Sequence, residues 1–147
     1  MRNILAISIF AASSLLLAGP VHAEKVFQAR TSAATPLSAT VDELTTVLQI
    51  AIPAGRWVIQ AKTQAVNFGI LETVRCQLFK GTTSLDGSGT NVGSTDGLPF
   101  VAMLVNQAVT RTVSTTIISF KCNHTEGTQT GLYLDSGSSL IIEEVVP

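Results

Sequence analysis

The chain has 147 residues, of which 46% are hydrophobic and 13% charged, with a formal net charge of −1. Nine Lys and Arg against ten Asp and Glu leave no basic excess of the kind that contacts with nucleic-acid phosphates demand. They also give no polybasic attraction to anionic membranes.

Residues 1–23 read as a signal peptide. Arg2 supplies the positive start, Ile4 to Ala18 is an apolar run interrupted only by serines, and Val21-His22-Ala23 fits the small-x-small cleavage pattern. The run is shorter than the roughly 18 apolar residues of a spanning helix, so no membrane span is expected after processing. Pro20 stands where a lipoprotein signal needs its modified cysteine. Residues 24–147 are then a single domain, large enough to bury about two-thirds of its unfolded surface. The expected location is secreted or periplasmic.

Lys25 to Ala29 reads as a first strand, and Arg30 to Glu43, rich in Ser, Thr and Ala, as a loop or weak edge strand. The most informative stretch is Leu48 to Phe79, which reads as three strands joined by two turns into a meander. In its middle strand Trp57, Ile59, Ala61, Thr63 and Ala65 share one parity, while Arg56, Gln60, Lys62 and Gln64 share the other. Period-2 alternation of this kind marks a half-buried strand. Pro53-Ala54-Gly55 and Asn67-Phe68-Gly69 supply the turns, the first through a fixed proline φ and a permissive glycine. Val74, Cys76 and Leu78 then oppose Thr73, Arg75 and Gln77.

Lys80 to Leu98 is a Gly/Ser/Thr run expected to be a surface loop, with at most a short strand around Ser84-Leu85. Pro99 to Val109 is continuously apolar and reads as a strand buried on both sides. Arg111 to Cys122 is the next strand, with Ile118, Phe120 and Cys122 inward. Asn123 to Gly131 is a polar hairpin loop, Leu132 to Leu134 a short strand, Asp135 to Ser138 a turn, and Leu140 to Val146 the closing strand. About eight strands and no amphipathic helix indicate an all-β, two-sheet antiparallel sandwich; Trp57 precedes both cysteines, which favours a jelly-roll over an immunoglobulin arrangement.

Two cysteines in an exported chain, both on inward parities, predict a Cys76–Cys122 disulfide. The segments IPAGRWVIQAK (52–62), VRCQLFKG (74–81), VSTTIISFKC (113–122) and SSLIIEEV (138–145) together resemble a group of small secreted bacterial β-sandwich proteins. The resemblance covers about Leu48 to Val146. It implies a jelly-roll-like fold, loosely similar to collagen-like and tumour-necrosis-factor-like heads, with a disulfide and no catalytic residues.

The site residues are sparse. A histidine-based hydrolase would have to use His124, expected in a solvated loop, and adjacent carboxylates such as Glu143-Glu144 point to opposite faces of a strand. No catalytic residue, cofactor or resident metal is therefore expected. Asp86, Asn91 and Asp96 offer oxygen ligands within the 80–98 run, without the spacing of an EF-hand loop. Phe27, Phe68, Phe79 and Phe100 are candidates for a sugar-stacking or protein-binding platform, with Phe79 foremost because it faces away from Cys76 and Leu78. The expectation is an exported, non-enzymatic binding or surface-structural module. The expected partner is a protein or a glycan, with self-association into a homo-oligomer as a further expectation. The alternative is a carbohydrate- or calcium-dependent domain using loops 80–98 and 123–131.

Overall fold

The computed structural model describes residues 25–94, 100–125 and 131–146. The expected signal peptide, Asp96 and the middle of the 123–131 loop lie outside the described residues. Ten strands and no helix are found among them: β1 (Val26–Arg30), β2 (Thr35–Pro36), β3 (Thr45–Ile52), β4 (Gly55–Asn67), β5 (Glu72–Lys80), β6 (Thr83–Val92), β7 (Phe100–Thr112), β8 (Thr116–His124), β9 (Leu132–Leu134) and β10 (Ser139–Glu144).

The strands form two antiparallel sheets. In the first, β7 lies along one edge of β4, and β10 and β9 lie end to end along the other, with β1 beyond β10 and β2 beyond β9. The second has the order β3-β8-β5-β6. With the end-to-end pieces taken as single columns, four strands face four, which is the eight-stranded jelly-roll sandwich expected from the sequence.

The alternation in β4 does what its sequence dictates. Trp57, Ile59, Ala61 and Ala65 are buried, and Arg56, Gln60, Lys62 and Gln64 are exposed. Trp57 is the anchor: its indole N–H donates to Thr112 Oγ1 at 3.1 Å, and Phe27 meets its ring edge-on at 5.6 Å. A buried indole needs that partner. Gly55 is required by the same packing, since a Cβ there would stand 2.9 Å from the Trp57 ring.

Three expectations are corrected. β3, β4 and β5 are not a meander; β3 pairs with β8 and β5 with β8 and β6, whereas β4 belongs to the other sheet. The turns at 53–54 and 68–71 carry the chain across the sandwich rather than back along one sheet. The run from Lys80 to Leu98 is mostly strand β6 rather than loop. Gly87 and Gly89 lie opposite Gln77 and Arg75, and a Cβ at either would press on those side chains at 3.2 and 3.3 Å. Glycine there makes room for long neighbours. Finally, β7 is an edge strand exposed on its outer face, at Val101, Met103, Val105 and Val109, and not a strand buried on both sides. It extends to Thr112, so the strand expected over 111–122 begins only at Thr116.

Cys76 and Cys122 are bonded, fully buried, and directly opposite one another on β5 and β8. Their Cα atoms are 4.1 Å apart, near the close spacing of a non-hydrogen-bonded antiparallel pair. The bridge thus lies within one sheet.

Candidate functional site

Two constellations stand out, one sealed and one open, at the same end of the sandwich. The sealed one is Glu72 with His124. Glu72 continues the inward parity of Val74 and Cys76 on β5, and His124 that of Phe120 and Cys122 on β8. His124 lies opposite Val74, which makes Glu72 its diagonal neighbour. Each residue is 1% exposed, and Nδ1 stands 3.6 Å from Glu72 Oε1. The Ser38 carbonyl lies 2.8 Å from Nε2; a carbonyl only accepts, so Nε2 carries a hydrogen and Nδ1 faces the carboxylate. The expected solvated loop histidine is therefore a buried one, tying β8 and β5 to the segment around Ser38. Both side chains are buried, so the pair links the inner faces of β5 and β8 at this end of the sandwich.

The open constellation is the tip formed by the β4–β5 turn. Asn67 is fully buried and fixes that turn: its Oδ1 accepts from Gly69 N at 2.8 Å, and its Nδ2 donates to Ile70 O at 2.8 Å and Val92 O at 3.2 Å. Gly93, at φ +101°, completes the lock, because a Cβ there would lie 2.5 Å from Ile70 O and 2.7 Å from Asn67 Nδ2. No other residue type fits that approach at that φ.

On this fixed backbone Phe68, Ile70 and Leu71 are 50–65% exposed. Phe68 stacks on Tyr133, with ring centroids 6.3 Å apart and planes at 22°. Tyr133 lies opposite Val66 of β4, whose partner on the other side is Val101. Phe100 and Val101, at the start of β7, are exposed beside them. Ser94 N donates to Gly69 O, and Thr125 N donates to Thr73 O, so the β6–β7 and β8–β9 connections both depart from this end.

The four phenylalanines separate accordingly. Phe27 packs inward on Trp57. Phe68 and Phe100 belong to the tip. Phe79 is half-buried on the outer face of the second sheet, with Lys121 Nζ 5.3 Å from its ring centroid, a contact of about 0.5–1 kcal/mol. Asp86 and Asn91 both lie on β6, five positions apart and hence on opposite faces, so they do not converge. Asp86 Oδ2 accepts from Gln107 N at 2.9 Å and Asn106 Nδ2 at 3.2 Å. Asn91 Oδ1 accepts from Thr73 Oγ1 at 2.7 Å. Asp86 thereby caps the outward N–H at the middle of the β7 edge, a device that blocks further strand addition. Among the described residues no three His, Cys, Asp or Glu side chains gather as metal ligands.

Sequence reasoning missed Ile70, Leu71, Tyr133 and the Glu72–His124 pair. The pair had a signal, because once Cys76 is set opposite Cys122 the register brings residues 72 and 124 together. The tip had less of one.

The architecture defines a class, the jelly-roll-like β-sandwich. No protein-family model and no curated protein sequence matches the chain. Solved structures do. It is similar to a protein in the structure of infectious bursal disease virus Gx strain, at 14% identity and a TM-score of 0.52, over 96% of this chain and 36% of that one. It is also similar to the VP2 subviral particle protein of that virus, at 12% identity and a TM-score of 0.52, over 84% and 33%. A third match is the T13 particle of the same virus, at 14% identity and a TM-score of 0.51, over 82% and 31%. The chain spans about a third of those proteins' length, and likeness at this identity is a likeness of fold.

Proposed function

We propose that the protein is an exported, non-enzymatic binding or surface-structural module that meets a protein or glycan partner through the apolar tip. The observation that carries this reading is the tip itself. Phe68, Ile70 and Leu71 lie exposed on a turn whose backbone is held by Asn67 and Gly93, with exposed Phe100 and Val101 beside them at the start of β7. Large apolar side chains left in water on a rigid support are the usual mark of a contact surface, and preorganisation lowers the entropy lost on binding. The disulfide suits an oxidising compartment, in keeping with the signal-peptide reading of residues 1–23 and with the resemblance to small secreted bacterial sandwiches. A non-enzymatic role accords with the sealing of Glu72 and His124 from solvent.

A glycan is the second reading, favoured by the stacked Phe68–Tyr133 rings, which present an aromatic face next to polar loops. Light scattering over a concentration series reads self-association, and melting curves against a sugar panel, with calcium and with EDTA, read ligand binding. The F68S/I70S variant leaves Asn67 and Gly93 in place. It should abolish whichever association the processed wild type shows, while its melting temperature stays within about 2 °C, as for other surface changes. Association that survives F68S/I70S unchanged removes the tip from the reading.

A further inference from the structure

The opposite end of the sandwich carries an arrangement that neither the apolar tip nor the core explains. Arg56 on β4 and Arg111 on β7 are direct cross-strand partners, and both are exposed on the outer face of the first sheet. Like charges directly opposite one another destabilise a strand pair. Among the described residues neither guanidinium has an ion pair or a hydrogen-bonded side-chain partner to offset it. A third cation is anchored there too, because Lys80 Nζ donates to the Arg111 carbonyl at 3.4 Å.

The two arginines line a shallow cleft with Ala54, Gly55, Thr112 and Glu144 among its walls. Its other polar side chains are already engaged. Glu144 pairs with Lys25 at 3.5 Å. Thr112 Oγ1 donates to Pro53 O and accepts from Trp57 Nε1. Glu143 is on the same outer face, beside Val58, one row from Arg56, and makes no ion pair among the described residues. The groups with unspent donors are therefore the two guanidinium forks. Their Cβ atoms are held about 4.5–5.5 Å apart by the strand pairing, close enough for both forks to grip one small anion. Guanidinium groups bind tetrahedral oxyanions and carboxylates in bidentate fashion.

We propose that Arg56 and Arg111 form a binding site for a sulfate or phosphate group. The group would be either the free inorganic ion or an ester carried on an acidic polysaccharide. The same outer face extends the positive field. Arg30 and Lys62 flank Ser139 in one cross-strand row, so the described part of this face holds four cations against Glu143. The overall charge near zero conceals this asymmetry. An exposed pair binds a free ion weakly, whereas a polymer with several esters engages both rows and gains by avidity.

The test titrates the protein with inorganic phosphate, inorganic sulfate and a sulfated polysaccharide, each against chloride at matched ionic strength. Binding is followed by NMR signals and by melting temperature. Saturable binding of at least one probe, weakened tenfold or more in R56Q/R111Q but unchanged in R75Q on the other sheet, is the expected result. Binding of the inorganic ions assigns the site to the free anion. Binding of the polymer alone assigns it to the ester. A second readout uses R111Q without any probe at low salt, where relief of the repulsion should raise the melting temperature. Absence of binding by all three probes, or binding unaffected by R56Q/R111Q, overturns the proposal even if that rise is seen. Both substitutions are on the surface, and neither touches Phe68 or Ile70, so this result is independent of the tip.

Discussion

Cys76 and Cys122 close a loop across 46 residues, which in the chain-entropy model removes about 4 kcal/mol of denatured-state freedom. Both side chains are fully buried, so the C76A/C122A variant also leaves two small voids at about 1 kcal/mol each. The double variant should therefore lose about 6 kcal/mol, and the reduced wild type, which keeps both sulfur atoms, about 4 kcal/mol. For a domain of this size about 4 °C accompanies each kcal/mol, which puts the falls in melting temperature near 24 and 16 °C. Since whole domains are stable by about 5–15 kcal/mol, the variant stands close to unfolding. Urea titration followed by the fluorescence of Trp57, the only tryptophan, separates the two terms. The denaturant slope should rise in both, because an uncrosslinked denatured chain exposes more surface. If reduced protein unfolds within about 1 kcal/mol of the oxidised form, the reasoning fails, because the loop would then contribute nothing through the denatured state.

Three further outcomes follow from the geometry. For Glu72 and His124, E72L and H124F should each destabilise by about 3–5 kcal/mol, while the double variant should cost less than their sum, since exchanging a buried pair for apolar groups is far milder than breaking it; urea unfolding of all four proteins gives the coupling, and strict additivity would refute it. G55A drives a Cβ into the Trp57 ring at 2.9 Å and should cost about 1–3 kcal/mol, with a shift in the indole emission; an unshifted emission would show that the ring does not rest on Gly55. D86A removes the acceptor for Gln107 N and Asn106 Nδ2 and should cost about 1–2 kcal/mol. It should also uncover the β7 edge, so light scattering should show association rising with concentration where the wild type shows none beyond its own.

What was legible in the sequence was parity. Trp57, Ile59 and Ala61 against Arg56, Gln60 and Lys62 gave the faces of β4 outright, and Cys76 and Cys122 on inward parities gave the bridge. Parity failed where residue chemistry was allowed to override it. His124 shares its parity with Cys122 and Glu72 with Cys76, yet polarity puts His124 in a solvated loop and leaves Glu72 out of the inward set. β6 failed for another reason: its glycines are set by the length of Gln77 and Arg75 on the adjacent strand, which composition does not encode. In β7, the outward Val101, Met103, Val105 and Val109 filled the polar half of the alternation, so an exposed edge read as a doubly buried strand. Nothing in Pro53-Ala54 tells a chain to cross between sheets rather than turn back.

That crossing matters for function, because it gives the sandwich two chemically different ends. Among residues 66–71, 92–94, 100–101 and 123–125 there is no Lys or Arg, and the exposed side chains are largely apolar. At the other end Arg56, Arg111, Lys80 and Lys25 gather around the β3–β4 and β7–β8 turns. In a jelly roll every long strand runs from one end to the other, so turns at one end share neighbours with each other and not with the far end. A substitution such as F68S can then alter one surface while leaving Arg56 and Arg111 opposite each other. Two surfaces of unlike chemistry, about 13 residues of strand apart along β4, suit a module that holds an apolar contact at one end and an anionic one at the other. The test is separability: F68S/I70S should leave anion binding intact, and R56Q/R111Q should leave the tip's association intact. If each variant abolished both, the two ends would be one coupled surface and the strand scaffold would not be the rigid spacer that its pairing implies.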